Sequence, residues 1–336
     1  PKEDKLCYSA VFELDDNAKV KAEWFGKTII NSDRRFDYEE VQHIIETGKG
    51  DLAEVINEVW KLASQLKEER FKKGAISFHT QEVNFKLDEK GKPIEVIISE
   101  QKESNFLIED LMLLANRRVA ERIGRKRGAV EPKTFVYRIH DVPNPDKLAN
   151  FSEFIRRFGY RLKTTGRNAE VSSSINRLLD EVEGKKEQNL IETLAIRSMA
   201  KAVYSTVNIG HYGLAFDYYT HFTSPIRRYP DMMVHRLLTH YLGGGRSVDA
   251  NEWEALCQHS SEREQLAANA ERASIKYKQV EYMSERLGQV YDGVISGVTE
   301  WGIYVELNAN KCEGMVPIRD LGDDYYIFDE KNYCII

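Results

Sequence analysis

Apolar and polar positions alternate over residues 7–14 (CYSAVFEL) and 18–25 (AKVKAEWF), the period of a half-buried strand, and Asp15-Asp16-Asn17 between them predicts a hairpin. From Leu52 the period lengthens. Leu52, Val55, Ile56, Val59, Leu62 and Leu66 recur at helical spacing, with Asp51 and Glu54 expected as the capping box and Gly74 as the stop. VNFKL (83–87) and IEVII (94–98) predict a second hairpin across DEKGKP, and SNFLIEDLMLLANRRVAERI (104–123) a strongly apolar helix stopped at Gly124. TFVYRIH (134–140) has the continuous apolar character of a buried strand and breaks at Pro143 and Pro145. Helices are predicted near 146–158, 168–183, 186–205 and 225–241, and Asp249 with Glu252 caps a long one reaching about 286. After Gly288, GQVYDGVISGV, WGIYVELN and CEGMVPI are short glycine-punctuated strands, the pattern of a small β-barrel that is expected to be incomplete. The fold class expected is α+β, an antiparallel sheet packed with helices, with a domain boundary that divides 1–285 from 286–336.

With 42% hydrophobic and 30% charged residues in a chain of 336, an ordinary core is expected. No window approaches 18 uncharged apolar residues, so no membrane partner is expected. The start, PKEDKLCYSAVF, lacks an initiator Met, a basic region and an apolar region. It is expected to be no signal peptide but a cut inside a longer protein. Cys7, Cys257, Cys312 and Cys334 are scattered without a CxxC pair, which argues for a reducing, cytoplasmic home. The net charge of −6 disfavours nucleic acid as a sum, yet RRVAERIGRKR (117–127) and FIRRFGYRLKTTGR (154–167) are locally basic. From residue 286 onward four basic residues face nine acidic ones, poor for tracking phosphates. Trp301 and Tyr304 there could stack bases, although core packing suits at least one of them.

The densest chemistry lies in HYGLAFDYYTHFTSPIRRYPDMMVHRLL (211–238). Ser224 is expected as an N-cap and Pro225 as the first helical residue, which places Arg227 and Arg228 in the first turn. Cations there oppose the helix dipole, by up to about 1 kcal/mol each. A phosphate seated on the free amides would reverse that sign, and arginine's planar fork suits it. The competing arrangement is an ion pair, for instance of Arg227 with Asp231 four residues on. His211, Tyr212, Phe216, Tyr218, Tyr219, His221 and Phe222 surround the same place, and most of them suit a packed core, with one or two left to contact single-stranded nucleic acid. His235 and His240 stand five apart and suit core or surface roles, as does His140, which could also orient a neighbour.

HFTSPIRRYPDMMVHRLL resembles the signature of the ribonuclease II/ribonuclease R (RNB) family of exoribonucleases. EERFKKGAISF, FLIEDLMLLANRRVAERI, VYRIHDVPNPDKL and SSEREQLAANAERASIKY follow in that family's order, and GQVYDGVISGVTEWGIYVEL with EGMVPI resembles its S1 RNA-binding module. The resemblance implies a processive 3′-to-5′ exoribonuclease that hydrolyses single-stranded RNA to nucleoside 5′-monophosphates, with no obligate protein partner evident. It implies that Arg227 contacts the phosphate beside the scissile bond, that Tyr137 stacks on terminal bases, and that Glu271 lies near the 3′ end. Arg228, Ser224 and His140 complete the expected substrate contacts.

The family's magnesium-binding aspartates have no counterpart here. Asp15-Asp16 is a hairpin turn and Asp323-Asp324 lies in the barrel's loop region, so neither has the spacing two metals need. The Mg2+ ligands are therefore expected upstream of Pro1, and the chain alone is expected to be inactive. The alternative from another class is a non-catalytic single-stranded RNA-binding protein. A helical scaffold that binds protein ranks last, because it leaves the paired arginines unexplained.

Overall fold

The computed structural model describes residues 2–78, 82–126, 128, 130–322, 325–329 and 334–336. In chain order the elements are β1 (Asp4–Leu14), β2 (Val20–Asn31), α1 (Tyr38–Thr47), α2 (Ala53–Lys72), β3 (Glu82–Leu87), β4 (Pro93–Ser99), α3 (Glu103–Gly124) and β5 (Tyr137–Ile139). Then come α4 (Pro145–Ile155), α5 (Asn168–Val182), α6 (Gln188–Ser198), β6 (Val203–Ser205), α7 (Tyr229–Leu242) and α8 (Ala250–Ser284). The strands β7 (Gly293–Thr299), β8 (Gly302–Leu307), β9 (Glu313–Pro317), β10 (Phe328–Asp329) and β11 (Cys334–Ile335) follow. All described strand pairs are antiparallel, in small separate sheets, and the mixture of helices and antiparallel strands is the α+β class expected.

The chain forms two compact units. The first comprises 1–76, 101–142 and 200–264. Its core is built on one face of α7, where Met233, Val234, Leu237, Leu238 and Tyr241 recur at helical spacing and meet Val119 and Ala120 of α3, Phe135, Val136 and Tyr137, and Cys257 of α8. Burying each Leu- or Phe-sized side chain contributes about 1.5–3 kcal/mol. α2 and α3 are tied by a buried ion pair, Arg70 Nη2 to Asp110 Oδ1 at 3.0 Å. Burial raises the Asp110 pKa against the opposing pull of Arg70.

The second unit comprises 77–100, 143–199 and 265–336. Leu148, Phe151 and Ile155 of α4, Ile175, Leu178 and Leu179 of α5, and Ile191 and Leu194 of α6 are among its buried apolar residues. β7, β8 and β9 form a meander in the stretch expected to be barrel.

Both predicted hairpins form, and each turn is closed the same way. Asp15 Oδ1 accepts from the backbone N–H of Asn17 (3.1 Å) and Lys19 (2.9 Å), and Asp88 Oδ1 from Lys90 (2.8 Å) and Lys92 (2.9 Å). Those amide donors, Lys19 and Lys92 first, hold both carboxyls below their ordinary pKa.

Several sequence expectations are corrected. The Asp51–Glu54 capping box does not form. Leu52 occupies the N-cap at φ 52° with no side-chain cap, because Asp51 is drawn to Arg34 Nε at 3.0 Å. α1 falls where no element was predicted, although Asp37 Oδ1 accepts from Glu40 N at 2.8 Å and Gly48 ends the helix at φ 69°. The helix expected over 186–205 stops at Ser198. Val203–Ser205 leave it to pair with Tyr137–Ile139, which is all that forms a strand in TFVYRIH. Asp323 and Asp324 lie outside the described residues.

Candidate nucleic-acid interface

The helix expected from Pro225 begins four residues later, at Tyr229. Pro230 is the reason. In a helix running from 225 its missing N–H and its ring would fall in the interior, against the carbonyl of Ile226, whereas at the start of α7 the missing N–H loses nothing. Ser224 is therefore not an N-cap, and Arg228 takes that position with no side-chain cap bond. Residues 224–228 form a turn instead, in which Ser224 O accepts from Arg227 N (3.3 Å) and Arg228 N (3.0 Å).

Beneath this turn sits Asp231, 0% exposed. Its Oδ1 accepts from Ser224 N at 2.7 Å and from Arg228 Nη2 at 2.9 Å. The expected pairing of an arginine with Asp231 thus occurs, but at three residues' separation, through Arg228 rather than Arg227. Arg227 is exposed and makes no ion pair among the described residues, so the two adjacent arginines are separated by environment.

Behind the turn, side chains order the loop. Phe222 N donates to Asn116 Oδ1 at 2.9 Å, and His235 Nε2 lies 2.7 Å from Phe222 O with its ring against the Phe222 ring. Tyr204 OH meets His221 Nδ1 at 2.8 Å. Arg138 pairs with Glu264 at 2.6 Å and lies over the Tyr204 ring at 4.7 Å. Burial first, then the positive charges of Arg228, Arg138 and Arg227 among its neighbours, push the His221 pKa down to about 2. His211 is pushed down to about 3, again chiefly by burial. Both imidazoles are neutral at ordinary pH.

Of the aromatics expected here, Tyr212, Phe216, Tyr219 and Phe222 are buried, as a packed core requires. Tyr137 is a correction. It is 4% exposed, set edge-on to Phe135 and beside Tyr218, and burial raises its pKa, so its ring offers no open face to a base. It follows Phe135 and Val136, both fully buried, in the continuous apolar run that packs in the α7 core. His140 is also spoken for within the unit. Its Nε2 lies 2.8 Å from Ala200 O and its Nδ1 accepts from Gly213 N at 3.0 Å, which orients the loop rather than leaving the ring for a ligand. Glu271 belongs to the second unit. There it is exposed on α8, beside a cavity of about 840 Å³ also lined by Lys185, Lys186, Arg272, Lys276 and Lys311. Trp301, in the turn between β7 and β8, is exposed. His240 Nε2 meets Arg246 O at 2.8 Å, a surface role.

Among the described residues no three His, Cys, Asp or Glu side chains gather as a metal site. Magnesium asks for about six oxygen ligands. The one buried carboxylate at the turn, Asp231, is engaged with Ser224 and Arg228, so the donors present do not fit that ion.

Residues 1–244 match the RNB domain and residues 285–333 the S1 RNA binding domain. The chain belongs to the RNB family. Within it, a ribonuclease R of Aquifex aeolicus is 34% identical over 346 residues, covering 100% of this chain and 48% of the relative. The chain spans about half the length of the curated relatives it matches. The structure of Mycoplasma genitalium RNase R in complex with ribose methylated single-stranded RNA aligns at a TM-score of 0.88 and 25% identity, over 100% of this chain and 53% of that one. A yeast pseudonuclease has the same fold at a TM-score of 0.74 and 21% identity, over 100% of this chain and 42% of that one. No described helix is long and apolar enough to cross a membrane.

Proposed function

We propose that this chain is the strand-holding part of a cytoplasmic, processive 3′-to-5′ exoribonuclease that hydrolyses single-stranded RNA to nucleoside 5′-monophosphates. In this reading residues 1–285 belong to the catalytic domain and 286–336 to the S1 domain. Arg227 contacts the phosphodiester beside the scissile bond. Ser224 and Arg228 hold the turn that carries it, Glu271 lies near the 3′ end, and Tyr137 and His140 act from behind by packing. The observation that carries the reading is the division of the two arginines. Arg228 is neutralised by buried Asp231, while Arg227 stands exposed without a described ion-pair partner. A planar guanidinium so placed can donate two parallel hydrogen bonds to a phosphate. It can stabilise charge that grows there in the transition state.

The metal supplies activation of water and of the leaving oxygen in such hydrolysis. In this reading the magnesium ligands lie outside this chain, and the chain alone is expected to release no nucleotides. The second reading is a non-catalytic single-stranded RNA-binding protein.

The test is nucleotide release from single-stranded RNA by the natural full-length protein and its Arg227→Ala variant. Turnover is expected to fall by about 10²–10³, with KM within about threefold. A loss confined to KM overturns the catalytic role of Arg227. A full-length protein that binds the strand and releases nothing at any magnesium concentration establishes the second reading.

A further inference from the structure

We infer that Asp231 is a positioning residue, which sets Arg227 against the phosphodiester by clamping the turn that carries it; this rests on the exoribonuclease reading above. One carboxylate oxygen does the clamping. Asp231 Oδ1 takes the N–H of Ser224 at 2.7 Å and Nη2 of Arg228 at 2.9 Å, so it holds the first and last residues of the turn together. Inside those pins, Pro225 fixes its own φ, and Ser224 O closes the loop by accepting from Arg227 N and Arg228 N.

Between the pins, no buried side chain of the turn's tip steers the chain among the described residues. Ile226 is fully exposed, at 102%, and Arg227 is exposed beside it. No core packing fixes their direction, which is left to the ends of the turn. Asp231 can set that direction because it is itself immobile. It is 0% exposed in the first turn of α7, whose Met233, Val234, Leu237 and Leu238 are 1% exposed or less. The clamp thus passes the fixed position of a core helix to an exposed guanidinium.

The polar accounting agrees. Asp231 Oδ2 and Arg228 Nε are buried and have no partner among the described residues. A buried ion pair that leaves such atoms unsatisfied is a poor source of stability, and well-packed apolar residues would serve a purely structural turn better. Its use here is to fix geometry. A reacting group misplaced by about 1 Å can lose on the order of 10²-fold in turnover.

The test is a double-mutant cycle in the natural full-length protein, on single-stranded RNA. Asp231→Asn keeps the shape and removes the charge that holds Arg228. It is expected to lower kcat about tenfold or more with KM within about threefold. In the Arg227→Ala background the same substitution is expected to change kcat by less than about twofold, because the group it positions is gone. Additive losses, or a loss in KM alone, overturn the proposal while leaving the role of Arg227 intact. If Arg227→Ala leaves turnover unchanged, the underlying reading fails and the proposal falls with it. Should Asp231→Asn fail to fold by circular dichroism, the cycle is run with Arg228→Lys, which keeps the charge and loses the reach, and the same non-additivity decides.

Discussion

The starts of α7 and α8 carry similar signals in the sequence and turn out differently. Before α8, Asp249 does what a capping residue is expected to do, its Oδ1 accepting from Asn251 N at 2.7 Å and Glu252 N at 3.2 Å. Before α7, Ser224 has the right side chain and the right proline after it, and caps nothing. The difference is what lies underneath. Asp249 is at the surface, where local hydrogen bonding decides the helix start. Ser224 lies over a fully buried carboxylate that needs donors, and its backbone N–H is captured by Asp231. Pro230 then forbids an earlier start. Capping rules describe a helix end that answers only to its own sequence. Where a buried charge has first claim on the same atoms, the interior decides.

That contrast can be broken in order of size. Asp231→Ala removes the partner of Arg228, whose side chain is only 19% exposed, and strands the Ser224 N–H. The loss expected is about 3–5 kcal/mol, seen as a lower urea midpoint. A loss below about 1 kcal/mol would mean that the α7 start answers to local rules after all.

The next effect is on pH dependence. The folded state refuses the proton that His221 and His211 accept when unfolded, near their ordinary value of 6.5. Stability is therefore full above that pH and falls as pH drops toward the folded values of about 2 and 3. His221→Gln is expected to flatten the urea midpoint against pH between about 6.5 and 4. An unchanged slope would show that the imidazole beside the turn is already charged in the fold.

Smaller again, Asp249→Ala is expected to cost about 1 kcal/mol, the usual value of a working cap. Smallest are Ser224→Ala and Arg227→Ala, each within about 0.5 kcal/mol by thermal melting, since neither side chain has a described partner in the fold. A cap-sized loss for Ser224→Ala would restore it as the cap of α7.

Much of the rest was legible. The two hairpins, the apolar helix over Glu103–Gly124 and the long helix after Asp249 follow from periodicity and turn chemistry, because each answers to residues within a few positions of itself. The α7 start was open to sequence reasoning, since Pro230 is a helix breaker, but Ser224 and Pro225 carry the stronger local start signal. Arg227 and Arg228 drew notice as a pair that no helix start should carry, but their neighbours in sequence could not say which would be neutralised. The burial of Tyr137 was not legible for a related reason. A continuous apolar run does not state which of its side chains are covered until its partner, Val203–Ser205, and the helix α7 are placed.

The order of residues alone determined the local periods, the turns and the family signature, all of which depend on contacts near in sequence or on motif spacing. Only the tertiary structure decided that Asp231 is buried, that it claims Ser224 and Arg228 together, and that Arg227 is left outside. Those outcomes depend on which charge is removed from water, and desolvation is set by atoms brought from distant parts of the chain.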